Sequence, residues 1–429
     1  MTIEPSSAGE TATTDKDSLP TLLVLTSTYP RWQADPEPGF VHELSKRLTG
    51  AFQVIVLGPH AQGALPIETI EGVEVIRFRY APQAWETLVN NGGIVTNLRR
   101  NKWKIMLLPT FILAQVWCAW RISRTRNISL VHAHWLIPQG LLATFLRSRR
   151  GERISFMVTS HGADLYALRG KLLNALKRFV IKRAAATTVV SEPMRDMLDA
   201  LGVGEGVSVQ PMGTDLAQRF TPGQNQERSS NEILFVGRFV EKKGLRHLIA
   251  AFPLILEKRP DCRLNIAGFG PEEHKLRRQV EQLALVDKVR FLGAIPQDRL
   301  PALYRDAAVF VAPFVEASSG DQEGLGLVLV EAIGCGCPVV AGGVPAVRNT
   351  FEAMGLRCVR ADDKEQLAAA VIEILGDTEE TATNAAHLRE AVVRIFDWEH
   401  VANTYVDLLL ACATHSGQDA VSPNGKLDI

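Results

Sequence analysis

A chain of 429 residues is too long for one ordinary domain and points to two or three. Apolar residues make up 46%, enough to fill full cores, and the formal net charge of zero gives no global pull towards nucleic acid. The six cysteines, at 118, 262, 335, 337, 358 and 412, form no C-x-x-C pair and no metal-ligand spacing. They read as buried free thiols of a reducing compartment.

Residues 1–20 are rich in Ser, Thr, Glu and Asp and lack an apolar run. They read as a disordered tail, neither signal peptide nor anchor. Thr21–Ser27 is a continuous apolar run of strand length. A loop, Tyr29–Gly39, holds Pro30, Pro36, Pro38 and Gly39, and a helix with Leu44 and Leu48 inward follows. Further strand-like runs are Val54–Leu57, Val73–Phe78, Leu130–His132, Ile154–Thr159 and Thr188–Ser191. Polar Phe220–Asn231 breaks the pattern. It restarts with Ile233–Gly237, Leu264–Gly268, Val289–Gly293, Val309–Pro313, Val339–Ala341 and Leu356–Val359, separated by helices such as Leu245–Leu256 and Glu272–Leu285.

Apolar strands without clean alternation, interleaved with helices, argue for parallel sheets covered on both faces. The expected architecture is α/β, two doubly wound Rossmann-like domains facing across a cleft. The expected boundaries are 21–218 and 232–395, with a linker at 219–231. A helix at 396–413 returns to the first domain, and 414–429 is a loose tail.

In such sheets ligands bind beyond the carboxyl ends of strands. Ser27 and Thr28, His132 and His134, and His161, Gly162 and Asp164 fall there in the first half. Gly237-Arg238, Gly268-Phe269-Gly270 and Gly293 fall there in the second. His132 and His134 are read as facing opposite ways, one of them structural, which sets aside joint metal binding. Gly268-Phe269-Gly270 lacks the third glycine of G-x-G-x-x-G, so NAD is not inferred.

The loop after Val309–Pro313 carries the most chemistry. Glu323 and Glu331 have seven residues between them, with Gly324 and Gly326 directly after the first. A helix opening near Gly324 would offer free N–H groups and a positive dipole end, which suit a phosphate, and would put Glu331 roughly two turns in. One carboxylate can accept from two vicinal hydroxyls, as on a ribose or a hexose. The plainer reading, a solvated loop acid and a surface helix Glu, stays open on spacing alone. Arg238 offers a planar fork for phosphate oxygens and Lys243 a point charge; the alternative is a basic surface turn. His161 can donate to a sugar hydroxyl or a leaving phosphate; the alternative is a capping or core histidine. No required metal is expected. The one D-x-D, Asp15-Lys16-Asp17, lies in the tail, and Asp321 with Glu323 could chelate only as flexible loop acids.

Arg99–Arg121 stands apart. Arg99, Arg100, Lys102 and Lys104 precede the nearly uncharged run Ile105–Trp120, with Trp103, Trp117 and Trp120. Its 16 residues fall short of the ~20 that span a bilayer. Two readings remain: docking on a membrane surface, or burial against the first sheet.

Taken together, these motifs resemble the retaining glycosyltransferases of family 4, which adopt the GT-B fold. The resemblance covers roughly Thr21 to Cys412. It rests on Glu323 and Glu331 with the intervening GLGLVLV, on Gly237-Arg238…Lys243-Gly244 and on Met212-Gly213-Thr214-Asp215. Ala267–Pro271, Val289–Gly293 and Phe396-Asp397-Trp398 add to it. It implies that Arg238 and Lys243 bind the donor diphosphate and that Glu331 binds the ribose. Glu323 would hold the transferred sugar, with backbone N–H groups from Gly324, Leu325, Gly326 and Leu327. His161 would lie by the reacting carbon, and Gly39 would let its loop close over the phosphates. His161 and Glu323 are thus the catalytic candidates. Two departures stand out: Pro38-Gly39 where the family often has paired glycines, and Met212 for the usual Asn.

The implied activity is metal-independent transfer of a hexose, with retention, from a UDP- or GDP-linked sugar to a sugar hydroxyl, with no further cofactor. TSTYPRWQADPEPGFVHELSKRL, VHAHWLIPQG and SHGADLY resemble the bacterial branch that builds exopolysaccharide, capsule or O-antigen units. That branch implies a lipid-linked acceptor and a cytoplasmic location, peripheral on the inner face of the membrane. The rivals are a nucleotide-sugar epimerase of GT-B fold, a non-catalytic nucleotide-sugar-binding protein, and a phosphorylase or synthase acting on free glucan.

Overall fold

The computed structural model describes residues 19–415 except 34, 36–38, 91–92, 224–227 and 377. Nearly all of the two expected tails, the Asp15-Lys16-Asp17 motif and Pro38 lie outside the described residues.

Two sheets organise the chain. The first has eight strands: β1 (Thr21–Leu25), β2 (Gln53–Pro59), β3 (Ile67–Ile70), β4 (Val73–Phe78), β5 (Ile128–His134), β6 (Phe156–Ser160), β7 (Ala186–Val189) and β8 (Val207–Val209). Their spatial order is β3-β4-β2-β1-β5-β6-β7-β8. The second has six: β9 (Glu232–Val236), β10 (Arg263–Ala267), β11 (Val289–Gly293), β12 (Val309–Ala312), β13 (Val339–Gly342) and β14 (Cys358–Val359), in the order β11-β10-β9-β12-β13-β14. The inner strands are almost wholly buried apolar residues, as a sheet covered on both faces requires.

Among the described residues, all strand pairs are parallel but one. β3 runs antiparallel to β4 as an edge hairpin, a departure from the all-parallel expectation. Its sequence, Ile-Glu-Thr-Ile, is largely exposed and too short and polar to stand out as a strand. β8, three residues long, was equally invisible. Four cysteines are buried as expected, whereas Cys118 and Cys358 are half-buried.

The last helix, Trp398–His415, packs on the first sheet, where Trp398, Val401, Tyr405, Leu409 and Cys412 join Leu22, Val24 and Met157 in one apolar cluster. Tyr405 donates its hydroxyl to the Gln210 carbonyl at 3.2 Å, and Ser155 donates to that of Cys412 at 2.9 Å. The chain therefore passes between the halves twice, and the passages touch. Thr214 N–H donates to Phe396 O at 2.8 Å, and Trp398 N–H to Thr214 O at 3.2 Å. A Cβ on Gly213 would lie 2.5 Å from the Trp398 ring, so only glycine lets the two segments approach this closely.

The helix Leu107–Thr125 turns Phe111, Gln115, Ala119, Ile122 and Ser123 to the first sheet. Its outer face is also apolar, with Ile112, Leu113, Val116, Trp117 and Trp120 exposed. With the preceding turn it forms a stretch, Lys102–Thr125, of 24 residues, long and apolar enough to span a bilayer. That exceeds the 16-residue run visible in the sequence, because the basic flanks and Arg121–Thr125 are helical too. One face nevertheless belongs to the protein core.

Candidate active site

The residues singled out in the sequence meet in one cleft of about 380 Å³. Gly39 and His161 line it from the first half. Arg238, Lys243, Glu323, Gly324, Leu325, Gly326, Leu327 and Glu331 line it from the second. All but Gly39 and Glu331 sit in loops or helix starts just beyond the carboxyl end of a strand; Gly39 caps the helix after the β1 loop, and Glu331 lies within the helix that follows the β12 loop.

The two loops of the second half brace one another. Glu241 accepts from Ser318 N–H at 3.0 Å and Ser318 Oγ at 2.8 Å, and Val315 N–H donates to Lys242 O at 3.0 Å. Lys242 reaches Asp321 Oδ1 at 3.3 Å and the Gln322 carbonyl at 3.0 Å. Lys243 Nζ lies 2.8 Å from Glu323 Oε2 and 4.7 Å from the centre of the Phe314 ring. Asp321 and Glu323 are thus each paired with a lysine. Burial pushes the Glu323 carboxyl up, but Lys243, then Lys242 and the Gly324 N–H, outweigh it and hold the group at about 2. Glu323 is therefore an anion at any ordinary pH, able to accept hydrogen bonds and unable to give a proton.

The helix begins later than the sequence suggested. Gly326 is its N-cap, with φ +85° and ψ 61°, and the helix runs Leu327–Gly334. Glu331 is therefore little more than one turn in. The glycine serves the left-handed cap, which sterics deny to most other residues. A Cβ there would also sit 2.8 Å from the Phe314 ring. Glu331 is buried and accepts from the Tyr304 hydroxyl at 2.9 Å. Burial raises its carboxyl to about 7, against the opposing pull of Tyr304, Lys243, Arg219 and Gln297. The two glutamates thus differ by environment, one fixed as an anion and one poised near neutrality.

On the opposite wall, His161 stands between Phe40 and Trp135, whose ring centres lie 4.8 and 5.1 Å away. Burial, and then His132, lower its imidazole to about 3, so the ring is neutral. His132 and His134 do not face opposite ways. Their ring centres are 4.3 Å apart on one side of β5, because residues two apart in a strand share a face. His132 bonds Thr159 Oγ1 at 2.8 Å and is buried. Asp164 accepts from Ser160 Oγ at 2.6 Å and from Leu136 N–H at 2.7 Å, which ties the β6 loop to the β5 loop. Arg169 bridges the halves by donating to the Gly320 carbonyl at 3.0 Å.

Tyr304, Gln297, Ile295 and Phe40 were not picked out in the sequence. Tyr304 lies inside the helix Leu300–Asp306 and reads there as an ordinary core aromatic; nothing in its spacing links it to Glu331.

Two family models match consecutive stretches of the chain: Glycosyltransferase Family 4 over residues 40–218, and Glycosyl transferases group 1 over residues 218–389. The putative colanic acid biosynthesis glycosyltransferase WcaL of Escherichia coli K12 is 31% identical over 330 residues, 73% of this chain and 79% of that protein. Sucrose-phosphate synthase from Thermosynechococcus elongatus shares the fold with a TM-score of 0.72 at 23% identity, over 94% of this chain and 100% of that one. Anabaena HepE, solved in complex with UDP-glucose, does so with a TM-score of 0.68 at 16% identity, over 91% of this chain and 99% of that one.

Proposed function

Since the chain belongs to family 4 of the glycosyltransferases, with the GT-B fold, and is a transferase enzyme, we propose that it moves a hexose from a UDP- or GDP-linked donor to a sugar hydroxyl, with retention and without a metal. The observation that carries this reading is the pairing in one cleft of a permanently ionised Glu323 with Lys243, beside a second carboxylate held near neutrality.

On this reading Glu331 accepts from the ribose hydroxyls, and Arg238 and Lys243 face the diphosphate. The anomeric C–O bond breaks and its electron pair leaves with the nucleoside diphosphate. Arg238, Lys243 and the helix start at Gly326-Leu327 stabilise the growing charge. Glu323 accepts from hydroxyls of the sugar. The acceptor oxygen attacks from the same face, and its proton passes to the leaving phosphate oxygen. Neutral His161 hydrogen-bonds a sugar hydroxyl beside the reacting carbon. The UDP-glucose complex of HepE supports the donor class, and the name of the Escherichia coli relative supports polysaccharide synthesis.

The acceptor in this proposal is a lipid-linked sugar, and the enzyme works peripherally on the inner face of the cytoplasmic membrane. Trp103 is 81% and Trp117 60% exposed on the Lys102–Thr125 surface. From Thr87 to Gly151 the chain carries ten Lys or Arg and no Asp or Glu, in a protein whose charges balance over its whole length. An exposed apolar helix face within a stretch of chain that carries only cations matches an anionic bilayer. Flotation with phosphatidylglycerol vesicles should retain the protein and lose the Trp117→Glu variant. Equal recovery of both would remove the membrane from the proposal.

The transfer itself is tested with UDP- and GDP-hexoses in EDTA. A raised melting temperature with one nucleotide class is expected, and proton NMR should show the donor's anomeric configuration kept in the product. An inverted product, or an altered nucleotide sugar formed with no acceptor present, would overturn it.

A further inference from the structure

His161 does not meet the cleft alone. His134 closes β5 and His161 follows β6, and these neighbouring strands pair with His134 opposite Thr159. The two rings are nearly coplanar, 12° apart, and His134 Nδ1 lies 2.8 Å from His161 Nε2. Among the described residues this is the one hydrogen bond of the His161 imidazole. Phe40 and Trp135 pack against its ring at tilted angles of 53° and 59°.

We propose that His134 is the positioning residue of the transfer site, fixing both the plane and the tautomer of His161 so that Nδ1 is the nitrogen offered to the sugar. The inference rests on the transferase reading above. The chemistry is a matter of counting protons. Two facing imidazole nitrogens hold a bond only when one carries a hydrogen and the other does not. Burial keeps both rings neutral, so each has a single N–H. The bond has two possible directions, and the proposal assigns His134 Nδ1 as the donor: Nε2 of His161 then accepts and its one proton sits on Nδ1, whereas a wild-type His161 protonated at Nε2 would overturn that assignment. His161 then donates to a hydroxyl in the cleft. His134 thus acts on the substrate only through His161, as the second partner of a ligating histidine fixes its tautomer.

The surroundings hold this pair in place from both strands. Asp164 clamps the segments that carry the two histidines through Ser160 and Leu136. Trp135, between His134 and Leu136, has φ +76°, a conformation a bulky residue adopts only under constraint, and its N–H donates to Thr159 O at 2.7 Å. His132 belongs to a separate chain of bonds, through Thr159 to Thr188 Oγ1 at 2.7 Å, and does not touch His161.

The test uses the full chain with His134→Leu, which keeps bulk and loses the partner, and His134→Asn, whose amide occupies the place of Nδ1. Nitrogen-15 spectra of histidine-labelled protein report the tautomer of His161 without any need for turnover. The expected result is a single tautomer in the wild type, protonated at Nδ1, and a mixture in His134→Leu. With it goes a fall of about tenfold in kcat at unchanged donor KM, partly restored in His134→Asn. In a His161→Ala background His134→Leu should cost nothing further. An unchanged His161 spectrum in His134→Leu, or an equal loss of kcat with and without His161, would overturn the proposal. If His134→Leu does not fold, the His134→Asn spectrum and its cycle with His161→Ala decide in the same way. A spectral change with no glycosyl transfer in the wild type would instead indict the transferase assignment and leave the histidine pair standing.

Discussion

The charge state of Glu331 should set the pH dependence of donor binding. The carboxyl is buried with a pKa of about 7, and a ribose diol needs it ionised in order to donate two hydrogen bonds to it. About one molecule in eleven is ionised at pH 6 and about ten in eleven at pH 8, so donor affinity should rise roughly tenfold across that interval. Tyr304 favours the anion by donating at 2.9 Å. Tyr304→Phe removes a charge-assisted bond, so the midpoint should climb by about one unit. A nucleotide sugar is the right probe, because its diphosphate diester does not titrate in this range. Calorimetry at pH 6, 7 and 8 on both proteins gives the answer. The same carboxyl acts on stability when no donor is added. The folded pKa lies above the ordinary value of 4.5, so the folded state keeps a proton that the unfolded chain releases between pH 4.5 and 7. Stability from this group is complete below 4.5 and falls by about 3 kcal/mol as pH rises through 7. Glu331→Gln should therefore melt higher than the wild type at pH 7.5 and not at pH 5. Donor affinity flat from pH 6 to 8, in wild type and Tyr304→Phe alike, would refute the assignment of Glu331 to the ribose.

Three further outcomes follow from the cleft. Lys243→Met takes the partner from a buried carboxylate and a cation from the diphosphate, so donor Kd should rise at least tenfold by calorimetry; unchanged affinity would detach Lys243 from the phosphates. His161→Ala should lower kcat with donor affinity nearly kept, which steady-state kinetics and direct binding separate; a loss confined to affinity would move His161 to ground-state binding. Gly326→Ala forces a Cβ into a left-handed cap against Phe314 and should cost about 1–2 kcal/mol in urea unfolding, with weaker donor binding; a neutral substitution would mean that the helix start tolerates other geometry.

How far these features could be read from the sequence depended on how local their physics is. All six strands of the second sheet announced themselves, because each is a short, largely apolar run between polar loops, even where, as in Val289–Gly293, most of its residues are not fully buried. The glycines, cations and acids of the cleft were legible for a related reason: just after such runs they have no role in a core, whereas Phe40, Ile295 and Gln297 gave no such signal. The edge hairpin β3 was not legible, since its residues are half exposed and follow no burial pattern. Neither was the Tyr304–Glu331 bond, which joins residues on different helices. The His132–His134 orientation was legible and misread; the period of a strand puts both on one face. The outward apolar face of Leu107–Thr125 needed the coordinates, because composition alone does not say which side of a helix meets the core.

The paired passages at Thr214 and Asp397 carry a mechanical consequence. Bodies joined by one tether can swing in any direction. Two tethers bonded side by side act as a pair of pins, leaving one easy rotation about the line through them. The cleft should then open and shut along a fixed arc, so that each closure returns His161 to the same distance from Glu323. The final helix is in this sense a strap wound back over the half that was made first. Severing the chain between Phe396 and Trp398 would leave Glu323, Lys243 and His161 on their own loops and still spoil their alignment.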